Sequence, residues 1–152
     1  MPDQYVDARS TGKFLFEVQG LEIGRFIEVS GLSVEVEVEP LEEGGENEFV
    51  HKLPGRMTWP NIVLKRGITN SDNLFEWLAK SSGDGFASQG NKLERRSASI
   101  TLLGLDGTRL RVWEFSDAFA VKWTGPSFDA SGPDVASEEL EIAHHGFKPR
   151  TP

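Results

Sequence analysis

The chain has 152 residues, enough for one domain with one sizeable core. Hydrophobic residues make up 38% and charged residues 26%, an ordinary globular balance, with ten phenylalanines and four tryptophans available to anchor a core. The net charge of -8 argues against a domain that grips nucleic acid, which needs a basic face for phosphate, and the lack of cysteine excludes disulfides and thiolate metal sites.

Residues 1–12 read as a flexible N-terminal arm without the apolar core of a signal peptide. No apolar run approaches the roughly 18 residues of a membrane span, so the expectation is folding in the cytoplasm with no direct membrane span. From Lys13 to Gln19 the pattern alternates: Phe14, Phe16 and Val18 share a face, with Leu15, Glu17 and Gln19 opposite. Period two of this kind marks a half-buried strand. Gly20 breaks it. Leu21 to Val29 holds a second strand, Gly24 marks a kink or tight turn, and Ser30-Gly31 turns the chain.

Val34, Val36 and Val38 then alternate with Glu35, Glu37 and Glu39 in a strand that Pro40 ends. Residues 40–52 form an extended loop rich in acid and glycine, with Glu42, Glu43, Gly44, Gly45, Glu46 and Glu48. It reads either as a solvated acidic loop or as an arm that orders only on a neighbouring subunit, since long loops without structure of their own are often functional. Lys52, Pro54, Gly55 and Arg56 lie in the run KLPGR, read as a rigid turn or as a cationic clamp on a neighbour's acidic arm.

Ile62, Val63 and Leu64 form a short strand core closed by Lys65 and Arg66. Asn70, Ser71 and Asp72 offer capping oxygens to a helix over about 71–82, with Leu74, Phe75, Trp77 and Leu78 as its apolar stripe and Gly83 as its stop. Residues 84–95 read as a loop. Ala98, Ile100 and Leu102 alternate in the next strand, Asp106-Gly107 turns a hairpin, and two further strands run over 108–115 and through Phe119, Val121 and Trp123. Residues 135–143 form the last strand, with Leu140 and Ile142 inward and Glu139 and Glu141 outward, and residues 144–152 form a tail. Seven to nine short strands and one helix predict a mainly β fold, an antiparallel β-sandwich or barrel in a single domain.

Chemistry is scarce. His51, His144 and His145 make a poor metal set, because adjacent strand residues point to opposite faces, and they are read as solvated groups. No nucleophile elbow or phosphate loop is present, so no enzyme activity, catalytic residue, metal or cofactor is expected. Opposite charges lie within one stretch, acids at 42–48 and bases at Lys52, Arg56, Lys65 and Arg66, which suits head-to-tail contact between identical subunits.

Three segments carry a resemblance: FLFEVQGLEIGRFIEVSGLSVEVEVE (14–39), EGGENEFVHKLPGRMTWPNIVLKRGIT (43–69) and SDNLFEWL (71–78). Together they cover about half the chain, and they resemble the tail-tube proteins of contractile phage tails and phage-tail-like contractile injection systems. The resemblance implies a domain related to the type VI secretion tube protein. Six copies would form a ring with a continuous inner β-barrel, and rings would stack into a tube that a contracting sheath propels. The implied partners are other copies of the chain, a sheath protein, baseplate or spike proteins, tube-capping or tape-measure proteins, and cargo in the lumen, either protein effector or DNA. The implied location is a phage tail or an injection particle, whether cytoplasmic, membrane-docked or released.

Glu35, Glu37 and Glu39 are candidates for a lumen wall or for an outward wet face. The alternative reading is a monomeric β-sandwich that binds a ligand or carbohydrate on Trp59, Trp113 or Trp123.

Overall fold

A computed structural model of the chain describes residues 11–41, 51–81, 96–126 and 136–152. Ten strands and one helix lie among them: β1 (Thr11–Val18), β2 (Leu21–Phe26), β3 (Glu28–Ser30), β4 (Glu35–Leu41), β5 (His51–Thr58), β6 (Ile62–Gly67), α1 (Asn73–Ser81), β7 (Arg96–Gly104), β8 (Arg109–Thr124), β9 (Ser137–Ala143) and β10 (Phe147–Arg150). The mainly β architecture with one helix is therefore present, and every pairing is antiparallel.

Eight strands form one bent sheet in the order β2-β1-β7-β8-β9-β6-β3, with β10 added alongside β8. Its two ends, β2 and β3, are consecutive in the chain, separated by Ile27, whose amide donates to the Lys65 carbonyl (2.8 Å). The sheet thus folds over on itself, and the interior between its halves is the core. Phe16, Phe26, Ile62, Leu64, Ile100 and Leu140 are fully buried there. Phe16 meets Phe26 and Trp77 edge to face, with ring centroids 6.4 and 5.3 Å apart.

The turns form where glycine permits a left-handed backbone: Gly20 (φ 80°) and Gly107 (φ 86°). The helix begins at Asn73, with the Asp72 carbonyl accepting from the Glu76 amide at 3.0 Å. It buries Leu74 and Trp77, while Phe75 is exposed and rests on Trp123 at 4.7 Å. Of the predicted stripe, Leu74, Trp77 and Leu78 lie on the core and Phe75 lies off it.

Four differences from the sequence reading have physical reasons. Leu15 is buried although it faces away from Phe14 and Phe16. It pairs with Thr101, which pairs with Val112, and this cross-strand row is buried too. Alternation identifies a core face, but it does not establish that the other face is wet. The strands expected over 108–115 and 119–123 are one 16-residue strand, β8 (Arg109–Thr124), which carries Asp117 at φ 51° near the middle. Gly24 does not end its strand; a side chain there would overlap the Arg66 guanidinium. The 144–152 tail contains β10, which pairs Phe147 with Phe115 and Arg150 with Val112.

Candidate assembly surface

β4 and β5 stand apart as a two-stranded sheet that pairs with no other described strand. Val36 lies opposite Met57, Val38 opposite Pro54 and Pro40 opposite Lys52. Glu35 lies opposite Thr58 and Glu39 opposite Leu53. Strand alternation therefore makes one face mainly apolar, with Lys52 at its end, and the other mainly acidic, with Leu53 beside Glu39. Neither face is covered: Val36 is 42% exposed, Val38 56% and Met57 50%, and Glu35, Glu37 and Glu39 are exposed as well. A lone two-stranded hairpin is marginal in water, and an uncovered valine–methionine face adds a further cost. Such an element calls for a surface to lie on.

KLPGR is not a turn, since Lys52, Pro54, Gly55 and Arg56 all lie within β5. Both prolines fit because each strand of a two-stranded sheet has a free edge where a missing amide breaks no ladder. The register slips between Val36 and Val38, and there Gly55 passes so close to the Glu37 carbonyl that a Cβ would stand 3.1 Å from it. Glu42, Glu43, Gly44, Gly45, Glu46 and Glu48, which the sequence places in the assembly arm, lie outside the described residues.

The hairpin joins the body through two short connections. Gly31 (φ 90°) packs so tightly on Asn61 that a side chain would overlap its carbonyl. On the other connection, Trp59 lies against Phe147 (5.1 Å), and Pro60 offers its carbonyl to His144 Nε2 (3.1 Å). His144 Nδ1 in turn receives the Gly146 amide (3.0 Å). The Pro60 carbonyl can only accept and the Gly146 amide can only donate. His144 is therefore the neutral tautomer with its hydrogen on Nε2. Burial, the largest effect, pushes its pKa below the usual value, and the Pro60 carbonyl works against that.

The basic residues separate. Lys52 and Arg56 are exposed on the hairpin. Lys65 is half-buried on the outer face of β6, between Glu28 and Glu139 in register. Arg66 is 4% exposed and lies inside the subunit rather than on its surface. Its guanidinium pairs with Glu138, whose second oxygen accepts from the Trp123 indole (3.1 Å), and it stacks over the Phe26 ring at 5.1 Å. A buried cation survives only when paired and hydrogen-bonded, and all of its partners come from elsewhere in the chain. Glu138 and His144 were both legible as inward positions. They extend the Leu140–Ile142 series by one step at each end, 138 and 144. Residue type alone reads His144 as solvated.

Trp113 and Trp123, partly buried, pack on the core, and Trp59 packs on Phe147 and His144. His144 is not a solvated tail group, whereas His145 is exposed, with Nδ1 3.3 Å from Asp117. Among the described residues no cluster of acids and histidines is arranged to hold a metal ion, and no helix is long and apolar enough to cross a membrane.

A family model described as T4-like virus tail tube protein gp19 matches residues 10–148. None of the curated proteins is a significant match. Among solved structures, one of a PVC sheath–tube complex in the extended state, from an extracellular contractile injection system, is similar at 28% identity. It has a TM-score of 0.73 and covers 91% of this chain and 88% of that one. A chain in a structure of the anti-feeding prophage cap, where the tube terminates, is similar at 25% identity, with a TM-score of 0.75 over 100% of this chain and 95% of that one. Hcp1 from Flavobacterium johnsoniae shares the fold at 20% identity, with a TM-score of 0.56 over 93% and 97% of the two chains.

Proposed function

The chain belongs to the T4-like virus tail tube protein family, and we propose that it builds the inner tube of a contractile injection particle through its β4–β5 hairpin. It is a structural tube subunit. Self-association, and partnership with sheath, baseplate and cap, follow from the assemblies in which its relatives sit. In our reading the rings are hexameric, the lumen carries protein effector or DNA, and the role needs no catalytic group.

The observation that carries the proposal is the bare hairpin. Its apolar face, Val36, Val38 and Met57, is exposed in the isolated subunit and gains a cover only on another molecule. A second copy is the natural cover, because identical subunits present the same uncovered element and closed assemblies remove exposed strands. Over residues 120–124, β8 pairs with β9 and with no other described strand. The acidic face with Glu35, Glu37 and Glu39 then turns to the lumen or to a basic neighbour.

The test is assembly of the purified full chain, followed by electron microscopy and light scattering. Rings near six subunits, or tubes, are expected. A stable monomer at high concentration that also fails to polymerise on a baseplate seed would sink the reading.

A further inference from the structure

The hairpin is held to the body at its two connections, and the better-bonded of them runs through His144. Trp59 and Pro60 lead from β5 into β6, and the ring of His144, the first residue of the β9–β10 turn, sits against them. Its ring is 7% exposed, with Phe115 at 5.0 Å, Phe147 at 6.1 Å and Trp59 at 6.2 Å. The turn below is pinned in its own right: the Ser116 amide donates to the Gly146 carbonyl (3.0 Å), and the His145 amide donates to the Ser116 carbonyl (2.9 Å). Gly146, at φ 110°, leaves room for Trp59, where a Cβ would stand 3.1 Å from the indole.

We propose that His144 is the positioning residue of the assembly hairpin: its neutral ring ties the Pro60 carbonyl to the Gly146 turn, and its protonation releases the hairpin's root. The release follows from the atoms. A second ring proton would lie on Nδ1, pointing at the Gly146 amide hydrogen, so one hydrogen bond becomes a donor–donor clash. The imidazolium would also be charged among three aromatic side chains.

The loop supplies Trp59 and Pro60, and β8 and β10 supply Phe115 and Phe147; none of these titrates. Glu114 and Lys148, their chain neighbours, are exposed and opposite each other in register. The ionisable groups close by are His145 and Asp117, which face each other, and a charged His145 opposes a charge on His144. The predicted consequence is a tube whose growth fails in mild acid through a residue distant from the hairpin's own faces.

The inference rests on the assembly reading for one of its two tests. In the unassembled full chain, NMR follows the His144 ring, the Trp59 indole and the Asn61 amide from about pH 7.5 to about pH 5. All three are expected to move with one midpoint below the usual histidine range, and Trp59 and Asn61 stay still in His144→Gln. In assembly, wild type is expected to lose about tenfold in polymer for each pH unit below that midpoint. His144→Gln, which can still donate to Pro60, should show no such step. The proposal is overturned if Trp59 and Asn61 ignore the His144 titration, or if His144→Gln keeps the wild-type pH midpoint. If wild type forms no ring or tube at any pH, the assembly reading fails, and the NMR experiment still decides the role of His144.

Discussion

At the scale of single residues, the buried Arg66–Glu138 pair shows how one charge dictates its surroundings. Glu138 gives one oxygen to Arg66 and the other to Trp123, Phe26 offers its ring face, and Gly24 gives up a side chain. Glu138→Gln leaves a buried guanidinium without a counter-charge and should cost about 3–5 kcal/mol in urea unfolding. Replacing both partners, Arg66→Met with Glu138→Leu, should recover most of that loss, as judged by a double-mutant cycle.

His144 sets a pH dependence of stability. Its folded pKa lies below the usual 6.5, so the unfolded chain binds the proton more readily. Its contribution is full above pH 6.5 and is lost as pH falls through the folded value. Urea midpoints measured from neutral to mildly acid pH should fall for wild type more steeply than for His144→Gln.

At the scale of elements, the hairpin and the helix behave in opposite ways. α1 is amphipathic and satisfied within the subunit, so Leu74→Ala should destabilise the domain by about 2–5 kcal/mol. The hairpin is amphipathic and pairs with no other described strand of the subunit. Val36→Asp with Met57→Asp should change the melting temperature little, since both side chains are exposed, yet should abolish rings and tubes in electron micrographs. Loss of folding in that variant would show that the hairpin supports the body.

The helix was visible in the sequence from capping chemistry at Asp72 and helical spacing at Leu74 and Trp77, and β4 from the Val/Glu alternation, whereas β5 was not. Alternation at Val36 and Val38 correctly separated two faces. It carried no information on whether either face has a cover, because a cover depends on what packs against the strand and not on the strand's own residues.

At the scale of the whole molecule, the last strand completes the body. β10 pairs with β8 and brings Phe147 onto the core. A chain ending at residue 143 should therefore lose more than about 3 kcal/mol of stability, measurable by thermal unfolding, although a mere tail would be dispensable. Two segments far apart in the chain, 59–60 and 144–147, meet only when this strand docks.

Local chemistry was enough for the mainly β class, the glycine turns at Gly20 and Gly107, the helix start and the inward set Leu140 and Ile142. Each depends on residues a few positions apart, where backbone geometry translates spacing directly into facing. Segments 14–39 and 43–69 were enough to point to the tail-tube family. Tertiary structure alone decided that KLPGR is a strand, that Arg66 is interior and that His144 is a buried neutral base. Arg66 needed Glu138, 72 positions away, and His144 needed Pro60, 84 positions away. A charged or titratable side chain goes wherever its partners are, and partners so distant in the chain become neighbours only through the fold.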